Sequence, residues 1–235
     1  MSDTGTGTGL GSLLVSLQLT DSAFPSGFYT LSHGLEGFAQ ARAVDAAAMP
    51  ELLADALRHT VGPADATALA LAHRAADTGD WETVVAVDQR LHATKLTREL
   101  RVACTRTGGQ VLDVALASFG GPILQRYSEL VTSRRTPGCQ PVAAGVAYAG
   151  TGVPVEHAVA SDLFAFATSF VGAALRLRLT DHRAAQAVLH RTAAVIEEVT
   201  ADALQRGLAD LGGCTPMFDV MSGRHERAEA RMFAT

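Results

Sequence analysis

Cysteine is scarce in this chain. Cys104, Cys139 and Cys214 are the three present, far apart and odd in number, which speaks against a disulfide framework or a Cys-x-x-Cys metal knuckle and leaves thiols that behave as small hydrophobes. Positive charge is also in short supply: 19 basic residues face 24 acidic ones, for a net charge of −5, and no basic block occurs. A nucleic-acid partner and an anionic membrane surface are therefore not expected. The eight histidines include no His-x-x-x-His, no His-Glu-x-x-His and no repeated Glu-x-x-His, so no preformed metal site within one subunit is expected. Hydrolase signals are missing as well. Ser26 and Ser32 lie near His33, but no Gly-x-Ser-x-Gly elbow occurs, and Gly5-Thr6-Gly7-Thr8-Gly9 lacks both the preceding strand and the Gly-Lys-Ser/Thr ending of a phosphate loop. No catalytic residue and no cofactor is assigned.

Long apolar runs are absent too. Leu163 to Leu175, the most apolar stretch, is bounded by Asp162 and Arg176 and falls short of the roughly 20 residues a membrane helix needs; it reads as a core helix. Met1 to Gly9 is rich in Thr and Gly without the basic start and apolar middle of a signal peptide, and reads as a disordered tail (1–9) on a cytoplasmic protein. Alternation is confined to pieces as short as Thr83 to Val87, and no internal repeat is visible.

What remains is helical periodicity through a chain of 235 residues, 48% of them hydrophobic, enough for one sizeable core. The expected fold is all-α: a single bundle-like domain of about ten helices over 10–221, followed by a tail over 222–235. Leu10 to Leu19 forms a short apolar helix. Pro50 and Pro63 each stand where a helix could begin, predicting Glu51 to Thr60 and Ala64 to Asp77. Asp80 caps the next helix ahead of Trp81, and Asp88 to Arg106 continues with Leu91, Leu96 and Leu100 inside. Gly120-Gly121-Pro122 is a turn, Thr132 to Pro141 a flexible loop, and Val142 to Tyr148 a small-residue helix suited to close backbone approach. Pro154 opens a long helix to about Leu179, and Asp181 caps the last long one, His182 to Arg206.

One stretch organises the rest. In Phe24-Pro25-Ser26-Gly27-Phe28-Tyr29-Thr30-Leu31-Ser32-His33-Gly34-Leu35-Glu36, a Pro-x-Gly turn feeds a segment in which Phe28, Leu31, Leu35 and Phe38 recur at helical spacing. That spacing predicts a helix from about Phe28 to Arg42, with Tyr29, Ser32, His33 and Glu36 sharing a polar face. Beside Tyr29 and Glu36, His33 could hold a metal transiently, although the lack of a second soft ligand nearby in sequence favours a structural or interface role; His225 beside Glu226 reads as a cap or partner contact.

This stretch resembles the N-terminal signature of the UreF-type urease accessory proteins. Two further matches follow in order: Arg98-Glu99-Leu100-Arg101 leading into Thr107-Gly108-Gly109-Gln110-Val111-Leu112, and the ending His225-Glu226-x-x-x-x-Arg231-Met232-Phe233-Ala234-Thr235. Departures occur at Leu179 to Arg183, where the family commonly has Pro-Leu-Gly-Gln, and at Met232 and Thr235. The resemblance implies an all-helical, non-catalytic assembly chaperone, a homodimer that links the UreD/UreH scaffold and the GTPase UreG to apo-urease for nickel insertion. It also implies partner-binding residues: Tyr29, Ser32, His33, Glu36, Arg98, Arg101, His225, Glu226, Arg231 and Phe233. Arg231 and Phe233 are residue types that anchor interfaces, so the tail is expected to order only on a partner, and removing Gly223 to Thr235 to spare the fold. The alternatives are an all-helical cofactor-binding enzyme using His33, and a nickel carrier using His33, Cys139 or His225.

Overall fold

The computed structural model describes residues 9–24 and 28–235; the Pro25 to Gly27 turn and most of the expected N-terminal tail lie outside them. Among the described residues there is no strand. Eleven α-helices run in order: α1 (Gly9–Thr20), α2 (Leu35–Gln40), α3 (Met49–Ala56), α4 (Thr67–Asp77), α5 (Trp81–Thr94), α6 (Arg98–Ser118), α7 (Pro122–Thr132), α8 (Gln140–Gly150), α9 (Val155–Arg176), α10 (His182–Gln205) and α11 (Pro216–His225). The all-α expectation holds in a single domain.

The caps are those the side chains dictate. Asp80 accepts from the Thr83 amide, Thr97 from Leu100, and Asp181 from Arg183 and Ala184, each satisfying first-turn donors that have no partner inside the helix. Thr97 corrects the expected Asp88 to Arg106 helix. The chain breaks after Thr94, and Leu96, expected inside, is 64% exposed on the connection.

Pro63 does not begin a helix. It sits inside a continuous rod, where Leu57–Ala66 is wound as a π-helix between α3 and α4. In an α-helix proline would leave the carbonyl four residues back without its donor; in this π-wound stretch the bonds reach five residues back, so the missing amide is absorbed within the rod, and His59 O also accepts from Cys214 N at 3.1 Å. Pro63 O accepts from Gly212 N at 3.0 Å. Gly213 must be glycine here, since a Cβ would lie 2.6 Å from His59 O.

The centre of the molecule is α8 rather than α9. Every residue from Gln140 to Ala149 is buried, and the small side chains let α8 approach so closely that a Cβ on Gly145 would lie 2.6 Å from the Leu69 carbonyl of α4. The core divides about it. On one side Leu69, Tyr148, Leu163, Phe170, Val188 and Ile196 pack together; on the other, Val87, Leu91, Leu112, Leu124, Tyr127 and Val146. Helix α9, at 22 residues, is the one described helix long and apolar enough to span a membrane, longer than its Leu163 to Leu175 run suggests. It buries Leu163, Ala167, Phe170 and Ala174 within the domain, while Phe164 on its outer face is 47% exposed.

The 132–141 connection is fixed rather than flexible. Asp88, buried on α5, accepts from Tyr127 Oη (2.9 Å), Thr136 Oγ1 (2.6 Å), Gly138 N (2.8 Å) and Cys139 N (2.9 Å). These four donors satisfy the buried carboxylate and tie the loop to α5.

Candidate functional site

The motif stretch is not one helix. Phe28–Thr30 forms a single 3-10 turn, after which His33 and Gly34 adopt left-handed backbone (φ 55° and 86°) and α2 begins only at Leu35. Glycine tolerates that conformation at position 34; a side chain there would also meet the Phe218 ring at 3.2 Å. The expected shared face of Tyr29, Ser32, His33 and Glu36 is therefore dispersed. Tyr29 lies outside, Ser32 and Glu36 point inward, and His33 takes a separate niche.

Glu36 is the focus. It is 4% exposed in α2, and its oxygens accept from His225 Nε2 at 2.8 Å, Met232 N at 2.8 Å, Phe233 N at 3.0 Å and Gln40 Nε2 at 3.4 Å. His225, fully buried at the end of α11, places its other nitrogen 3.0 Å from Glu99 Oε2 on the first turn of α6. Arg231 NH1 donates to Glu99 Oε1 at 3.0 Å. The ring therefore bridges the two glutamates, one carboxylate oxygen facing each nitrogen. Two carboxylates, one imidazole and one guanidinium thus join α2, α6, α11 and the C-terminal segment.

The tail closes onto this centre. Ala234 N donates to Thr30 O at 2.8 Å, Ser32 N donates to Thr235 O at 3.1 Å, and the Ser32 hydroxyl donates to the same carbonyl. Phe233 is 5% exposed. The Arg176 guanidinium lies between the rings of Tyr29 (4.2 Å to the centroid) and Phe233 (4.3 Å), a doubled cation–π contact, and NH1 donates to Tyr29 O at 2.5 Å. The expectation of a tail that orders only on a partner is corrected: its backbone donors are consumed by Glu36 and Thr30, so its partner is its own body.

His33 is held differently. The Ser169 hydroxyl donates to Phe28 O (2.9 Å), so its oxygen accepts from His33 Nε2 (2.8 Å), and the ring packs against Phe28 and Phe166. Burial, with the charges of Arg176 and Lys95, lowers its pKa to about 3, so the ring is neutral at ordinary pH. Arg101 is not free for a partner, because its NH1 donates to Lys95 O (2.6 Å) and Leu96 O (2.9 Å) at the end of α5. Arg98 and Glu226 stay at the surface and line, with Val102, Arg106 and Arg231, an open groove of about 540 Å³ beside the tail. Among the described residues no three His, Cys, Asp or Glu side chains converge to hold a metal ion.

Sequence reasoning missed Glu99, Arg176 and Asp162. Glu99 stood inside a quoted motif, beside the arginines that drew notice. Arg176 carried no signal, since its partners come from residues over fifty positions away in either direction. Asp162, which accepts from Gln140 Nε2 at 2.9 Å, has its pKa raised to about 7 by burial, partly opposed by that hydrogen bond and reinforced by Asp65.

Fold and site together define an all-helical protein whose charged centre serves to clamp its own C-terminal segment across three helices. The profile of the UreF family matches residues 43–193, and the chain belongs to that family. It is 32% identical over 217 residues to the urease accessory protein UreF of Paenarthrobacter aurescens, covering 92% of this chain and 95% of the relative. It is 30% identical over 224 residues to that of Trichodesmium erythraeum (94% and 96%), and 29% over 222 residues to urease accessory protein UreF 2 of Brucella canis (94% and 91%).

Proposed function

We propose that this chain is a non-catalytic assembly chaperone of urease in the cytoplasm, linking a UreD/UreH scaffold and the GTPase UreG to apo-urease so that nickel, the cargo, is inserted. The observation that carries the reading is the clamped tail with the groove beside it. Arg98, Arg106, Glu226 and Arg231 are presented on a surface held rigid by the Glu36–His225–Glu99 centre, and a preorganised charged surface binds with less ordering cost than a loose one. In this reading Tyr29, Arg98, Glu226 and Arg231 touch the scaffold, while Ser32, His33, Glu36, Arg101, His225 and Phe233 hold the surface in shape.

The homodimer of this proposal is supported by α1, whose Leu10, Leu13, Leu14 and Leu17 fall at helical spacing and are all more than half exposed. An apolar stripe of this kind is what a two-fold interface covers.

Co-expression of tagged protein with UreD/UreH and UreG, read by the mass of what co-purifies, tests the reading. A stable complex that activates apo-urease with nickel is expected, and charge reversal at Arg98 and Glu226 is expected to dissolve it without changing the far-ultraviolet circular dichroism. Recovery of this protein alone, with the partners folded, overturns the proposal.

A further inference from the structure

Two of the three cysteines, distant in sequence, are brought together. Cys104 lies on α6 one helical turn before Gly108, on the same face. At Gly108 that face meets the start of α8 with no space to spare: a Cβ there would lie 2.0 Å from Gly138 O and 2.8 Å from the Cys139 carbonyl carbon. The thiols of Cys104 and Cys139 are direct neighbours, each the largest influence on the other's ionisation. Cys139 is buried, with its sulfur also 3.9 Å from the Asp88 carbonyl. Cys104 is half-buried and lines a cavity of about 100 Å³ together with His33, Asp65, Lys95, Gln140 and Asp162.

The cavity supplies what a reactive thiol needs. A water occupies roughly 10–15 Å³ on this measure, so the space admits a molecule of peroxide size. Lys95 Nζ, paired with Asp65 at 2.6 and 2.8 Å, lines the same cavity as Cys104. The Cys104 pKa is lowered, first by the Cys139 thiol and then by the Lys95 charge, against burial and the Asp65 carboxylate, whereas Cys104 and burial push that of Cys139 up. Cys104, half-buried on the cavity, is the thiol a small oxidant reaches, and Cys139, buried behind it, is the one placed to resolve.

We propose that Cys104 and Cys139 form an oxidisable dithiol, a modification site that hydrogen peroxide converts into an intramolecular disulfide joining α6 to the start of α8. The Cys104 thiolate attacks one peroxide oxygen, the O–O bond breaks, and the departing hydroxide takes a proton and leaves as water. Sulfur is oxidised by two electrons to a sulfenic acid as the peroxide is reduced. Cys139 then attacks the Cys104 sulfur, the S–O bond breaks, and the hydroxide leaves as water with the Cys139 proton. Two thiols and one peroxide give one disulfide and two waters.

The test uses the full chain carrying Cys214→Ser, because Cys214 is exposed and would react on its own, so neither cysteine of the pair is altered. Native protein is titrated with hydrogen peroxide, then denatured for thiol counting and mapped by mass under non-reducing conditions. The expected result is loss of both thiols together, a mass lower by two hydrogens, a Cys104–Cys139 linked peptide, and full return with dithiothreitol. A gain of oxygen at Cys104 without a linked peptide overturns the proposal. So does persistence of both thiols at peroxide levels that oxidise Cys214 in the wild type. In Cys139→Ser/Cys214→Ser protein, dimedone is expected to trap Cys104 sulfenic acid several-fold more than in Cys214→Ser alone; equal trapping shows that Cys139 does not resolve it.

Discussion

At the scale of the residue, the decisive physics is the cost of burying charge. Glu36 and Glu99 are taken out of water and returned partners by His225, Arg231 and two tail amides, and removal of one member of such a set leaves buried carboxylate oxygens short of a donor. His225→Ala is expected to lower unfolding free energy by about 3–5 kcal/mol in urea titrations; a loss within about 1 kcal/mol, the range of exposed pairs, would show that water replaces the ring. Titration gives a second residue-level prediction, from two groups of opposite sign. His33 is lowered from 6.5 to about 3, so below pH 6.5 the unfolded chain takes up a proton the fold refuses, and its stabilising contribution, full above 6.5, is lost as pH falls. Asp162 is raised from 3.8 to about 7, so its contribution is full below 3.8 and lost as pH rises through about 7. Denaturation midpoints across this window are expected to show Asp162→Asn gaining on the wild type as pH rises, and His33→Asn gaining as pH falls. A pH-independent difference for either variant contradicts the assignment.

At the scale of the element, adjacent glycines in α6 do opposite things. A Cβ on Gly108 would collide with Gly138 O at 2.0 Å and Gln140 N at 2.7 Å, whereas nothing lies within 4 Å of one on Gly109. Gly108→Ala is expected to destabilise by about 3 kcal/mol or more, since backbone must move, and Gly109→Ala to stabilise by up to about 1 kcal/mol through helix propensity. Thermal unfolding of the two variants decides it, and equal effects would mean that α6 and α8 are not in this contact. In the sequence the pair stands only as part of a motif, because two adjacent glycines carry no sign of which one faces a neighbour. The same holds for Pro63: proline predicts a missing donor, but only the structure shows the π-wound Leu57–Ala66 stretch that carries the rod through it, with the 212–214 segment packed against it.

At the scale of the molecule, the C-terminal segment is part of the fold. Removal of Gly223 to Thr235 strips His225 from two carboxylates and the Met232 and Phe233 amides from Glu36, so it cannot spare the body as the sequence suggests. Removal of only Arg231 to Thr235 keeps His225. This shorter truncation is expected to retain the helical circular dichroism, to lower Tm, and to lose UreD/UreH co-purification, while the longer one populates unfolded protein or aggregates. A short truncation with unchanged Tm would show that the tail contributes nothing to the body.

The sequence by itself determined the all-α class and most of the long helices, the caps at Asp80 and Asp181, the Gly120-Gly121-Pro122 turn and the close-packing helix α8, because periodicity, capping and residue size are local properties that each helix carries within its own span. It also marked Ser32, Glu36, His225, Arg231 and Phe233, though not what each of them touches. Only the tertiary structure decided that Glu36 faces His225 across 189 positions, that Glu99 is the second carboxylate, that Arg176 lies between Tyr29 and Phe233, and that Cys104 meets Cys139. The reason is physical: a buried charge is tolerated only where several elements bring donors to it at once, and their convergence is a property of packing that no single stretch of chain contains.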